Sequence, residues 1–128
     1  MLPFEVIFRP GEPVYEQVIY AVKRAIATGQ LAVGGRFPAV RTLSMELRIN
    51  PNTAHKVVAA LVAEGTLQVH PGKGTVVAPP LIGSESDRDL LINQELERLV
   101  VEARRLGLDE EKIISAVRKH WRKFPKHP

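Results

Sequence analysis

Cysteine is absent from this 128-residue chain, which excludes disulfides and thiolate metal sites and fits a reducing compartment. No apolar run approaches the ~20 residues that a bilayer-crossing helix needs, so no membrane partner is expected. The N-terminal stretch MLPFEVIFRP has no basic segment followed by an apolar core, and no secretory signal is expected there. Internal repeats and low-complexity tracts are also missing. Catalytic constellations are equally scarce. His55, His70, His120 and His127 show no paired ligand spacing, so neither a metal nor any other cofactor is expected. Asp109-Glu110-Glu111 reads as a helix cap with acids at the positive end of the helix, rather than as paired acid/base carboxylates. These absences leave a cytoplasmic, non-enzymatic protein as the expectation.

What is present is an ordinary globular composition, 45% hydrophobic and 25% charged, in a length that suits one domain or a small domain with an appendage. The net charge is +4, and it is unevenly spread: eight Lys/Arg stand against five Asp/Glu up to Ala78, and ten against nine beyond it. The excess basicity lies in the N-terminal part, where it would attract a polyanion.

Phe4, Val6 and Phe8 alternate with Glu5 and Ile7, the pattern of a short strand or extended arm. Arg9 to Glu12 is a turn, and Pro13 suits the first position of a helix. Val14, Val18, Val22, Ala25 and Ile26 then recur at helical spacing as far as Gly29, where a helix should end. A loop containing Gly34-Gly35 follows. Pro38 precedes a short second helix with Val40, Leu43 and Leu47 on its apolar face. Asn50-Pro51 is a strong helix start, because Asn caps free N–H groups and Pro fits the first turn. This third helix should run to about Glu64, with Gly65 as its stop. Thr66–Val69 and Thr75–Ala78 are β-prone segments around the tip Pro71-Gly72-Lys73-Gly74, a hairpin. The fold class is therefore mainly α with a small β hairpin. Residues 10–78 form a winged helix-turn-helix.

Residues 79–86, with Pro79-Pro80 and Gly83-Ser84, are a linker, and 87–124 form a two-helix tail. Ile92, Leu96, Leu99, Ala103 and Leu106 step 4, 3, 4, 3 along one helix face, and Ile114, Val117, Trp121 and Phe124 step 3, 4, 3 along the next. Such a hairpin has too little mass for its own core. A second copy of the chain is the simplest partner, which makes Ile92, Leu96, Leu99, Ala103, Leu106, Ile114, Val117 and Trp121 the expected dimerisation residues.

On a helix starting at Asn50, Ala54, Val57, Val58 and Leu61 cluster on one side, and Asn52, Lys56, Ala59 and Ala63 lie opposite, flanked by Thr53 and His55. Small residues allow close approach to a major groove, while Asn, Thr, His and Lys reach base edges or phosphates. A plain solvated face would carry more Glu and longer chains. Arg41, early in the second helix, is placed to bind phosphate or a guanine, and Arg36 is a second candidate for the same charge work. Gly72, Lys73 and Gly74 would let a wing approach the minor groove; as a plain turn they would be merely solvated. A phosphate-binding P-loop is excluded, because Leu67 stands where that motif needs glycine and Gly74 where it needs Ser or Thr.

These residues resemble the GntR family of bacterial transcription regulators. The matching string is Pro13-Val14-Tyr15-Glu16-Gln17, Gly29-Gln30-Leu31, Gly34, Phe37 to Leu43, Asn50-Pro51-Asn52-Thr53, Leu61, Glu64-Gly65 and Gly72 to Thr75. The resemblance implies a winged-helix DNA-binding domain whose operator contacts fall at Arg41, at Asn50, Asn52, Thr53 and His55, and at Gly72. One departure stands out: where the family often has Val-Arg-Lys, this chain has Ala54-His55-Lys56, and His55 replaces a strong guanine and phosphate reader. The short tail resembles the YtrA-like subfamily, in which it serves dimerisation. The expected function is thus a sequence-specific regulator, a repressor, binding a pseudo-palindromic double-stranded operator as a homodimer. A winged helix that binds protein instead is the alternative, and it would show an acidic or apolar recognition face. A small-molecule effector is compatible with the tail, but no residue cluster marks a site for one. The run Arg118, Lys119, Arg122, Lys123 and Lys126 has two readings, a contact with DNA flanks or, favoured by cations near a helix C-terminus, a solvated helix end.

Overall fold

A computed structural model describes residues 1–80 and 83–124; Leu81 and Ile82 of the expected linker, and Lys126 and His127, lie outside the described residues. The chain divides into two compact units, Met1–Leu81 and Ile82–Pro128.

In the first unit, α1 spans Val14–Thr28, α2 Val40–Leu47 and α3 Pro51–Ala63. Pro13 is the residue before α1 rather than its first member, with φ −60 and an extended ψ of 130. Gln17 fastens the preceding loop. Its Nε2 donates to the carbonyls of Glu12 (2.9 Å) and Arg9 (3.2 Å), and its Oε1 accepts from the Arg9 N–H at 2.7 Å. Asn50 caps α3 as its chemistry predicts: Oδ1 accepts from the Asn52 N–H at 2.8 Å, and Pro51 opens the helix. At the other end Thr66 N–H closes on the Leu61 carbonyl at 2.9 Å.

These helices meet in one core. Val18, Val22 and Ala25 of α1, Leu43 of α2, and Ala54, Val57 and Leu61 of α3 are buried together with Leu31, Phe37, Leu67 and Val77. Val58, expected beside them, is half-buried. Each fully buried Val or Leu removes enough apolar surface from water to contribute roughly 1.5–3 kcal/mol. Strands β1, Leu67–His70, and β2, Gly74–Val77, pair antiparallel from Leu67↔Val77 to His70↔Gly74, each within a residue of the expected bounds. The stretch read as loop before Pro38 joins them. Phe37 N–H donates to Thr75 O and Gly34 N–H to Val77 O, both at 2.8 Å, and Arg36 bridges to Val76. Carbonyls and N–H groups on the outer edge of β2 are thereby satisfied, which the hydrophobic pattern of so short a segment could not signal.

The N-terminal arm forms no strand. Phe4 is buried in the core and stacks on Phe37, with ring centroids 5.9 Å apart and planes 16° from parallel, whereas Phe8 and Ile7 remain exposed. Leu2 and Val6 are half-buried against the same core, so the alternation holds from Leu2 to Val6 in an extended arm that pairs with no strand.

In the second unit, α4 spans Glu85–Leu90 and starts inside the segment expected to be linker, because the Ser84 hydroxyl accepts from the Asp87 N–H at 3.1 Å. A widened π turn, Leu91–Glu95, leads into α5, Leu96–Arg105. Gly107, with φ 78, ends it: Leu108 N–H donates to Ala103 O at 2.9 Å and Gly107 N–H to Arg104 O at 3.1 Å. Asp109 then caps α6, Glu110–Lys123, by accepting from the Lys112 N–H at 2.9 Å. The Arg105 guanidinium on the last turn of α5 holds the Glu102 carboxyl below its usual range.

The π turn alters the expected seam, since its residues advance by less than the α-helical ~100° each and the face before it lags. Leu96, Val100 and Ala103 of α5 and Ile113, Ile114 and Val117 of α6 line an apolar recess of about 870 Å³. Val100 and Ile113 take part without having been expected, and Leu99 and Leu106 lie outside the recess. Ala103 is the buried hydrophobic residue of this tail among the described residues.

Two outcomes check this packing. Phe4→Ala should lower the stability of the first unit by about 3 kcal/mol in urea denaturation; a change near zero would mean that the arm is not part of the core. Asn50→Ala should cost about 1 kcal/mol through loss of the cap, and an unchanged unfolding midpoint would contradict it.

Candidate nucleic-acid interface

Burial of Ala54, Val57 and Leu61 orients α3, and the opposite stripe is left to solvent. Asn52, His55, Lys56, Ala59 and Ala63 are all exposed, with Thr53 half-buried at the margin. The exposed surface is low where the alanines lie and polar or basic toward the N-terminal half. Asn50 is exposed too, but its Oδ1 is committed to the Asn52 N–H, which leaves its NH2 group to donate outward.

Arg41 lies on the first turn of α2 and is exposed. No side chain caps that turn, and no acidic residue lies within it. The end of the helix is thus an uncompensated positive pole beside a guanidinium. A recess of about 570 Å³ next to it is lined by Pro3, Arg36, Pro38, Val40, Lys73 and Gly74, among others. The pairing of Arg36 with β2 brings it to the wing. Sequence spacing alone, with Lys73 37 positions after Arg36, gave no sign that the two share one recess.

The wing tip is a turn with Pro71 at its second and Gly72 at its third position. Lys73 N–H donates to His70 O at 3.0 Å and Gly72 has φ 81, the geometry that Pro-Gly favours and that a Cβ at the glycine position would strain. Gly72, Lys73 and Gly74 are all exposed. His70 points along the strand, with Nε2 3.1 Å from Gln68 Oε1.

The cations of this surface are not neutralised within the fold. Among the described residues, ion pairs join Lys23 to Glu64 at 3.0 Å, Arg98 to Glu95 at 3.9 Å, Arg105 to Glu102, and the N-terminal ammonium to Glu46. None involves Arg36, Arg41, Lys56 or Lys73. The structure therefore brings Arg36, Lys73 and Gly74 together beside α2, and gathers Asn52, His55 and Lys56 on one side of α3. One exposed cation went unnoticed in the sequence, Arg48 in the turn between α2 and α3.

Comparison with known proteins agrees with this architecture. The HTH-type transcriptional repressor YtrA of Bacillus subtilis (strain 168) is 29% identical over 106 residues, 82% of either chain. A GntR family transcriptional regulator from Listeria monocytogenes has a solved structure 28% identical in sequence, with a TM-score of 0.66 over 88% of this chain and 98% of that one. The structure of AraR(DBD) in complex with operator ORX1 is 28% identical, with a TM-score of 0.51 over 58% of this chain and 95% of that one. The model of the bacterial regulatory proteins of the gntR family matches residues 14–77, the three helices and the hairpin. With half of its length matched and its fold shared, this chain belongs to the gntR family of DNA-binding bacterial transcription regulators.

Proposed function

We propose that this regulator binds a pseudo-palindromic operator as a homodimer and represses transcription in the cytoplasm. The observation that carries the reading is the exposed stripe of α3, which presents Asn52, His55, Lys56, Ala59 and Ala63 and no acidic residue where a solvated face would carry Glu and longer chains. In this reading Asn52, Thr53, His55 and Lys56 face the major groove, and Asn50 donates from the head of the helix. Arg41 and Arg36 hold phosphate at the start of α2, and Gly72, Lys73 and Gly74 carry the wing to the minor groove. Operator binding by AraR(DBD) and the description of the Bacillus subtilis YtrA as a repressor support the assignment. A protein-binding winged helix would need an acidic or apolar face here, and the exposed charges are cationic.

Dimerisation is assigned to the tail. Ile92, Leu96, Leu99, Leu106, Val117 and Trp121 are exposed large hydrophobics, and Ala103 and Ile114 lie between them. A unit this small leaves such a surface uncovered unless a second copy meets it. Two-fold pairing would present two α3 helices to successive half-sites.

Two measurements test these assignments. Arg41→Ala and Asn52→Ala should each weaken binding to a selected operator by about 1–3 kcal/mol, and Arg41→Ala should flatten the salt dependence by about one unit of slope. Unchanged affinity in both variants would remove the site assignment. Leu99→Asp should convert the dimer to a monomer in sedimentation, since Leu99 is 47% exposed and lies outside the recess between α5 and α6, so a charge there spares the fold of the subunit. An intact dimer would refute the assigned seam.

A further inference from the structure

The turn between α2 and α3 contains a residue that the surface described above leaves unused. Arg48 has φ 55 and ψ 46. It is the only residue other than glycine with positive φ among the described residues. The conformation is imposed from both sides. Arg48 N–H donates to Met45 O at 3.3 Å and Ile49 N–H to Ser44 O at 3.0 Å, the closure that ends a helix on a left-handed residue. Glycine is the usual occupant, because any Cβ crowds the following carbonyl there. Two residues later Asn50 caps α3, so the bend cannot relax without moving α3 off its core. An arginine thus occupies a position its own backbone disfavours.

Its side chain makes no ion pair with the rest of the fold among the described residues. Arg48 is exposed, and nearby Glu46 pairs with the N-terminal ammonium instead. Arg48 follows Arg41 by seven positions, with exposed Met45 between them. The two cations thus flank α2, Arg41 on its first turn and Arg48 in the left-handed residue that follows its last.

We propose that Arg48 is a further phosphate-binding residue, which extends the grip on the DNA backbone from the start of α2 to the head of α3 at the expense of fold stability. The proposal rests on the DNA-binding reading of α3. In its terms the strained arginine is kept for an intermolecular contact, and stability and affinity respond to it with opposite sign.

The test uses the full chain, a labelled random-sequence duplex across a salt series, and thermal melting. Arg48→Gly should melt higher by roughly 4 °C, yet bind the duplex about 5-fold more weakly, with a salt slope smaller by about one. Arg48→Asn, which also tolerates the left-handed region, should lose the same affinity, and Arg48→Lys should retain it. Wild-type affinity and slope in Arg48→Gly and Arg48→Asn, alongside weakened binding by Arg41→Ala, would overturn the proposal and leave the reading of α3 intact. Melting of Arg48→Gly at or below the wild-type temperature would overturn the claim of strain. Failure of the wild-type chain to bind duplex at low salt would remove the α3 reading itself, and the Arg48 contact with it.

Discussion

The packing of one side of α3 governs the rest of the first unit. Ala54, Val57 and Leu61 are fully enclosed with Leu43, Val18 and Val22, and a helix held on one face has no freedom in what it shows on the other. The exposed stripe is therefore a product of the core. A change that loosened Leu61 or Leu43 would reorient Asn52, His55 and Lys56 without touching them. The cap at Asn50 and the tight turn at Arg48 set where α3 begins relative to α2, so Arg41 and the α3 residues form a rigid set positioned by burial and backbone geometry together.

Electrostatics adds to this arrangement without making it. The cations on the exposed surface gain nothing inside the protein: Arg36, Arg41, Lys56 and Lys73 have no acidic partner among the described residues. Uncompensated charge on a rigid surface is a small cost in the free protein and a large gain beside a phosphate backbone, where counterions are released. Arg36 and Lys73 meet only because the chain before α2 pairs with β2. The wing is thus coupled to the helix-turn-helix by hydrogen bonds as well as by apolar contact. The tail differs in chemistry: Leu96, Leu99, Leu106 and Trp121 are exposed large hydrophobics, the surface to which pairing of subunits is assigned in the proposed function.

Much of this was legible in the sequence, for identifiable reasons. Asn50-Pro51, Asp109, Gly65 and Gly107 act through local chemistry, so the helix bounds they set needed no tertiary information. The stripe of α3 followed from ~100° per residue. Other features depended on distant partners. Phe4 looked like one member of an alternating strand, and only its stacking on Phe37, far along the chain, makes it core. Arg36 looked like a loop residue, because pairing with Val76 leaves no local mark. The π turn at Leu91–Glu95 shifts Ile92 relative to the α5 residues that follow it, and Val100 rather than Leu99 or Leu106 lines the recess against α6. Arg48 was hidden because its side chain is unremarkable and its backbone is not. A three-residue turn without glycine between two helices was the available sign.

The central claim is that the cationic side of α3 reads DNA as one of a symmetric pair. Hydroxyl-radical footprinting on a fragment enriched from random duplex DNA tests it most directly. The account predicts two protected patches related by a dyad, with centres separated by about one helical turn, ~10 bp, or a multiple of it. A single asymmetric patch, or no protected sequence at all, would contradict it.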